Sequence, residues 1–274
     1  MVKQKIRIYV EASIVAFWTL LKRLTIGAIL LFIGWLAYSE LAMRIMHGGR
    51  MDQAVGFIGL WLVLAYIFIP RLHRVLTKLY IPDYFIGRIR TSDGLLSDPV
   101  NLAFIGSKND LHQAMQKAGW VLADKLSFGS SLKMIFATIF RKSYPTAPVS
   151  NAYLFGNLQS FTYQQDINGK TNARHHVRFW KTPDGWIMPG GHKVDWVAAG
   201  TFDRAIGISY FTLQLTHKIA SDTDIERDYI VKNIEKYSQP KEVDIIKNYF
   251  SAYHHRSGGG DSIMTDGALP IIKL

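Results

Sequence analysis

The hydrophobic positions of this chain fall into two regimes. Residues 24–39, LTIGAILLFIGWLAYS, carry no charge, and residues 53–70, QAVGFIGLWLVLAYIFIP, carry none either. Neither run shows the polar face that a surface helix of a soluble protein presents at 3.6-residue spacing. At about 1.5 Å per residue the first run reaches ~24 Å. Extension through Glu40 to Met43 approaches the ~30 Å hydrocarbon core of a bilayer, because a terminal Glu reaches the headgroups. Spans over about 24–43 and 53–70 are therefore expected, forming a transmembrane hairpin within residues 24–80. A core helix of a soluble protein is the alternative, and the missing polar face argues against it. Ahead of the first span, Lys3, Lys5 and Arg7 precede an apolar stretch that Glu11 interrupts, with no small-x-small cleavage pattern after it. Residues 1–23 thus read as an amphipathic, juxtamembrane helix and not as a cleaved signal.

Beyond the spans the pattern shortens and mixes. Ile81-Pro82-Asp83 and Ser92-Asp93-Gly94 punctuate a connector over 81–97. A soluble domain over 98–274 then opens with a strand over 100–105, a cap at Ser107 and a helix over 109–118 closed by Gly119. A second helix is predicted over 131–140. β-branched and aromatic runs at 152–155, 160–165, 175–181, 194–202 and 206–216, separated by Asn168-Gly169, Pro183-Asp184-Gly185 and Pro189-Gly190-Gly191, predict an antiparallel meander. Helices over 224–237 and 241–253 and a last strand over 269–274 complete an α+β fold with a mainly antiparallel sheet and flanking helices.

Charge sharpens the picture. The net charge of +11 could suggest a nucleic-acid partner, but many basic residues flank the apolar runs, as topology signals do. No nucleic acid is expected. Lys3, Lys5, Arg7, Lys22 and Arg23 precede the first span, Arg44 and Arg50 lie between the spans, and Arg71, Arg74, Lys78, Arg88 and Arg90 follow the second. The positive-inside rule places both termini in the cytoplasm and the turn at His47-Gly48-Gly49 outside. With no cysteine, disulfides, zinc thiolates and thiol nucleophiles are excluded, leaving His and carboxylates as the metal ligands to consider.

Several runs together resemble the LssY C-terminal domain family over about residues 98–235. They are Asp98-Pro99-Val100-Asn101, Ala118-Gly119-Trp120, Tyr144-Pro145-Thr146-Ala147-Pro148-Val149-Ser150, Tyr153-Leu154-Phe155-Gly156, Arg174-His175-His176-Val177-Arg178-Phe179-Trp180, Phe202-Asp203 and Glu226-Arg227-Asp228. The resemblance implies a bacterial domain found in membrane proteins, sometimes joined to membrane-embedded lipid phosphatase domains, and an inner-membrane location; it transfers no catalytic residue. The phosphatase module itself is absent, since the chain has no Arg-Pro and no Ser-Arg pair.

The densest candidate chemistry is the run 174–180. Alternation in a strand puts Arg174, His176, Arg178 and Trp180 on one face and Val177 and Phe179 on the other. Two guanidiniums, an imidazole and an indole suit a phosphate or carboxylate carrying an apolar attachment; a solvent-facing strand with cross-strand partners is the plainer alternative. Asp195, Thr201 and Asp203 are placed to pair with Arg178 or to orient His176 for general-base work, against a structural pair of Asp203 with Arg204. Asp222, Asp224, Glu226 and Asp228 near His217 lack the central Gly and distal Glu of a calcium loop, and Thr223-x-x-Glu226 fits a helix capping box. His192, His254 and His255 fall in loops, and Gly258-Gly259-Gly260 lacks the Lys and Ser/Thr of a phosphate-binding loop.

Three functions follow as expectations. The first is a membrane-anchored accessory or ligand-binding protein recognising an anionic, phosphorylated or lipid-linked partner through Arg174, Arg178 and Trp180. The second is a phosphoester hydrolase using His176 or His217 with Asp203, its metal requirement and cofactor left open. The third is a structural subunit whose Trp35, Trp61, Gly34, Gly56 and Gly59 pack on another membrane protein.

Overall fold

Alternating hydrophobic strands with two apolar-faced helices build a layered α+β domain, preceded by apolar helices. In the computed structural model the described residues are 38–80, 85–140, 144–167, 170–249 and 255–274, with scattered positions between 17 and 35. Most of the expected juxtamembrane helix, and part of the first expected span, lie outside them. The chain divides into two compact units, Met1–Phe68 and Ile69–Leu274.

In the first unit, helix α1 is continuous over residues 38–47 and α2 runs Arg50–Val63 after a turn at Gly48 and Gly49. A Cβ at Gly48 would stand 2.5 Å from the Arg44 carbonyl oxygen, so the turn requires glycine there. A Cβ at Gly56 would meet Ile45 at 2.8 Å, and one at Gly59 would meet Leu41 at the same distance. Gly56 and Gly59, two of the small residues expected to receive another protein, thus face α1, while a Cβ at Gly34 would meet none of the described residues within 4 Å. A π-helical turn, Leu64–Phe68, joins α2 to α3, Ile69–Tyr80. Pro70 removes one backbone donor and crowds the preceding turn, and the wider π turn accommodates it. The second apolar run therefore does not end at Pro70. Arg50–Thr77 forms one helix, long and apolar enough to cross a membrane.

In the second unit an eight-stranded sheet has the order β11-β12-β3-β9-β8-β7-β4, with β10 paired to the far half of β9. The strands are β3 Leu102–Ile105, β4 Val121–Leu122, β7 Phe161–Ile167, β8 Lys170–Lys181, β9 Trp196–Ile208, β10 Leu215–Ile219, β11 Glu242–Ile246 and β12 Leu269–Lys273. All pairings are antiparallel except β12 with β3. One face packs on α4, Lys108–Lys117, and α6, Thr223–Ser238, around Phe104, Leu111, Met115, Val177, Phe179 and Ile230. The other face meets a four-stranded sheet, β2-β1-β5-β6, built from β1 Arg88–Thr91, β2 Leu96–Pro99, β5 Ala152–Leu154 and β6 Asn157–Leu158. Ile89, Ala152, Leu154, Trp180 and Val197 form that second core. The stretch expected to be a connector over 81–97 is therefore largely part of the domain. Helix α5, Phe128–Ile139, follows β4.

Two further expectations are corrected. Of the predicted helix over 241–253, residues 242–246 form β11 instead, an edge strand antiparallel to β12 in which Val243, Ile245 and Ile246 are β-branched, and residues 250–253 lie outside the described residues. The predicted strand over 206–216 is a hairpin in which β9 turns at Ser209–Gln214 into β10; the turn closes by the Ser209 N–H to Gln214 O bond at 2.8 Å, with Leu213 at φ +59°. Ser107 caps α4 as predicted, accepting from Asp110 N while Asp110 accepts from Ser107 N in a reciprocal box. Ser107→Ala is expected to cost ~1 kcal/mol, read as a lowered denaturation midpoint with α4 otherwise intact.

Candidate functional site

The period-2 arrangement of β8 holds. His175, Val177 and Phe179 face the helices, and Arg174, His176 and Arg178 face the other way. That second face is not solvent-facing. Arg174 and His176 are each 2% exposed, because the small sheet and the 147–151 segment close over them. Register places Arg174 opposite Asp203 and His176 opposite Thr201 on β9, with Gln164 of β7 opposite His176 on the other side. Burying so many polar groups requires that they satisfy one another.

They gather around one carboxylate oxygen, although His176 Nδ1, His217 Nδ1 and Arg178 Nε are left without a hydrogen bond among the described residues. Arg174 Nε donates to Asp203 Oδ2 at 3.2 Å, and its Nη1 donates to Gln164 Oε1 at 2.9 Å. His176 Nδ1 stands 3.4 Å and His217 Nδ1 3.7 Å from the same Asp203 oxygen. On the far side of the His176 ring, Arg178 Nη1 lies 2.8 Å from Nε2. A guanidinium only donates, so Nε2 is the acceptor in that contact. Thr201 Oγ1 lies 2.8 Å from the same Nε2. Arg178 also donates to Asp98 Oδ2 at 2.9 Å and to Ser150 Oγ at 3.1 Å.

Electrostatics follow from this packing. Burial alone would raise the Asp203 pKa, yet His176, His217 and Arg174 outweigh it and hold the carboxyl well below the usual range. Burial lowers the His217 pKa despite the Asp203 carboxylate beside it, and the charges of Arg174 and Arg178 add to that lowering. The His217 ring is therefore neutral at pH 7, partly exposed, with Asp203 at its Nδ1.

The row forms the floor of a cleft of about 500 Å³. Its polar end holds Asp98, Ser150, Arg178 and His217, while Leu126, Met134, Ile206 and Leu215 give it apolar walls. The 257–259 segment closes one side. The segment is packed: a Cβ at Gly258 would stand 2.5 Å from Thr91 Cγ2, and one at neighbouring Gly260 2.7 Å from the Tyr210 ring. His176, Asp203 and His217 converge, but Arg174 Nε bonds the oxygen that a cation shared among them would need. Among the described residues no group of three His, Asp or Glu is arranged to hold a metal ion. Two guanidiniums and the carboxylates of Asp93, Asp98 and Asp203 share the polar side of the cleft.

Other predicted residues lie elsewhere. Trp180 is buried among Met188, Val194 and Val197 and does not line the cleft. Asp195 accepts from Gly106 N at 2.8 Å, far from Arg178's partners. Arg204 bonds the Ile219 carbonyl and lies 3.9 Å from Asp261, so Asp203 pairs with Arg174 and not with Arg204. Asp222, not Thr223, caps α6, accepting from Asp224 N at 3.0 Å, and Glu226 turns inward to His175 Nδ1 at 2.6 Å. His192 bridges Met188 in a turn, and His254 lies outside the described residues. Asp98, Ser150 and Gln164 were not singled out for chemistry. Asp98 and Ser150 fall in the resemblance runs, the one signal that marks them.

A family model described as LssY C-terminus matches residues 78–269. The chain belongs to the LssY C-terminus family. Comparison with curated proteins and with solved structures returns no match. In this LssY C-terminal domain, four separated runs of the resemblance converge on the cleft, through Asp98, through the 147–150 segment, through Arg174, His176 and Arg178, and through Asp203. Of the three other runs, Glu226-Arg227-Asp228 serves α6 on the opposite face of the sheet.

Proposed function

We propose that the protein is a membrane-anchored ligand-binding protein of the inner membrane, tethered by a hairpin of two membrane-spanning helices with both termini cytoplasmic, whose cleft takes an anionic, phosphorylated or lipid-linked ligand. The single observation that carries this is the buried Arg178-His176 contact at the floor of a half-apolar cleft. It sets guanidinium and imidazole donors, the former also paired with Asp98, beside a wall suited to an aliphatic chain. The apolar helix Arg50–Thr77 and the α1–α2 hairpin packing support the tether.

The test is equilibrium binding of the detergent-solubilised full chain to phosphatidic acid, inorganic phosphate and phosphatidylcholine. Binding of the first two but not the third is expected. An Arg178→Ala, His176→Ala double variant that remains folded by circular dichroism should bind about 10-fold or more weakly, the loss of one charge-assisted hydrogen bond. Unchanged affinity would refute the reading.

One observation favours a second reading, a phosphoester hydrolase. His217 is neutral, faces the cleft and has Asp203 at Nδ1, the arrangement in which Nε2 serves as a general base. Turnover of a soluble phosphomonoester or phosphodiester that disappears in His217→Ala, with ligand affinity kept, would move the protein to that class.

A further inference from the structure

Helix α5 bears an apolar side that no described residue of its own unit covers. Phe128, Leu132 and Phe136 follow one another at four-residue steps, and Phe140 continues the series one residue past the helix end. Side chains at that spacing stand on one side of a helix. All four are exposed, Phe128 to 83%, while Met134 and Ala137 on the other side pack on Tyr144 and Ala147. Residues 125–142 include Lys125, Lys133, Arg141 and Lys142 and no acidic residue. A helix with an aromatic apolar face and basic flanks has the composition of one lying in an anionic bilayer surface.

The same character continues around the mouth of the cleft. Leu126 and Met134 beside α5 line it, and so do Ile206 and Leu215 of the β9–β10 hairpin. The tip of that hairpin presents Tyr210, 73% exposed, next to Phe211. The location of this mouth is fixed by α3, the last part of the apolar helix. His73 Nε2 lies 2.8 Å from the Phe211 carbonyl, Thr77 Oγ1 donates to the Gly94 carbonyl at 2.8 Å, and Arg74 lies 3.8 Å from Asp93. Asp93 lines the cleft and Phe211 neighbours Thr212, which does too. The end of a helix that crosses a bilayer sits at its surface, so the hairpin tip and the 93–94 turn that α3 bonds are held near it.

We infer that α5 and the 206–215 hairpin lie in the surface of an anionic bilayer, so that the cleft opens to the membrane and is filled from it by an anionic phospholipid. The headgroup meets Arg178, His176 and His217, and the chain runs along Leu126, Met134, Ile206 and Leu215. This rests on the tether and anion readings above and names the ligand as a membrane lipid. It also explains why a chain already anchored keeps large aromatic residues exposed on its second unit: they are solvated by lipid.

The chain has no cysteine, so a single introduced one carries a unique fluorophore. Full-length Phe128→Cys, Phe136→Cys and Tyr210→Cys, and Ile225→Cys on exposed α6 as control, are labelled and reconstituted into phosphatidylcholine–phosphatidylglycerol vesicles. Nitroxide on the acyl chains should quench the first three several-fold more than aqueous iodide does, with the order reversed at Ile225. Iodide quenching at Phe128 and Phe136 equal to that at Ile225 overturns the inference. So does quenching by neither agent, the sign of a protein partner or second copy over α5. Flotation with the vesicles separates the two levels: a chain that floats yet shows iodide-accessible probes loses only this inference, whereas one that does not float loses the tether as well.

Discussion

Asp203→Ala is expected to lower the stability of the domain by ~3–5 kcal/mol, the cost of stripping the partner from a buried charge. Its carboxylate oxygen faces Arg174 Nε, His176 Nδ1 and His217 Nδ1 within 3.2–3.7 Å, and the Asp203 residue is 2% exposed. Removing it leaves the Arg174 guanidinium buried with only Gln164 and the carbonyls of Ala147 and Pro148 as acceptors. Protonation cannot relieve this, since a guanidinium stays charged. Asp203→Asn keeps the shape and isolates the charge. The pH dependence has a definite sign. The folded carboxyl titrates below its ordinary 3.8, so the stability it contributes is present above that value and lost as pH falls beneath it. His217 is also depressed, from 6.5, so the unfolded chain binds its proton first and stability begins to fall once pH drops below that value. Denaturant midpoints of the full chain in detergent should therefore decline from about pH 6.5 downward in the wild type, and in Asp203→Asn the further decline below 3.8 should be smaller, the remainder coming from carboxyls such as those of Asp110 and Asp266 that are also held low. A midpoint for Asp203→Ala equal to wild type would show that the cluster is not held by this carboxylate.

The row itself was legible from alternation alone. A strand reading Arg174, His176, Arg178 against Val177, Phe179 has two faces whatever it pairs with, and Asp203 on the next strand was a natural partner. What alternation cannot carry is which face is covered, because that depends on chain far away in sequence. The covering sheet is assembled from β1 and β2, which look like a punctuated linker, and from β5 and β6, each of two or three residues. Elements that short leave almost no periodic signal. The plainer expectation of a solvent-facing strand therefore fails, and with it the role expected for Trp180, whose indole is core.

The two secondary-structure errors have a common cause. Between Ser209 and Leu215 the chain reverses without glycine, proline or asparagine, so the punctuation on which hairpin reading relies is missing. That hidden turn returns β10 along β9 and brings His217 beside Asp203; a continuous strand over 206–216 would have carried it away. At β11, the run Glu242-Val243-Asp244-Ile245-Ile246 fits both periods over so few residues, and pairing with β12 decides it. Ser107 and Gly119, by contrast, act within one helical turn of themselves, and both were read correctly.

Arg227→Ala is expected to cost ~2–3 kcal/mol, the scale of hydrogen bonds made to a charged group and lost together. Arg227 sits on α6 with its guanidinium almost wholly buried, although three of the carboxylates around it reach solvent to different degrees. Nη1 and Nη2 bond Asp266 Oδ1 and Oδ2 at 2.6 and 3.2 Å, a paired geometry that fixes the plane of the guanidinium. Nη1 also reaches Asp224 Oδ1 and the Ala268 carbonyl, both at 3.1 Å, and Nε bonds Asp228 Oδ1 at 2.9 Å. Through these bonds one side chain pins the first turns of α6 to the 264–268 segment that leads into β12, which pairs in parallel with β3. A lysine supplies a point charge without the fork, so Arg227→Lys should recover less than half of the loss. Exposed ion pairs alone would contribute little, and the buried fork is what sets the magnitude. Hydrogen exchange locates the effect: amides of 264–273 should lose protection in Arg227→Ala while those of β7 and β8 keep it. A uniform loss across the sheet would mean that α6 packing, and not this clamp, holds β12 in place.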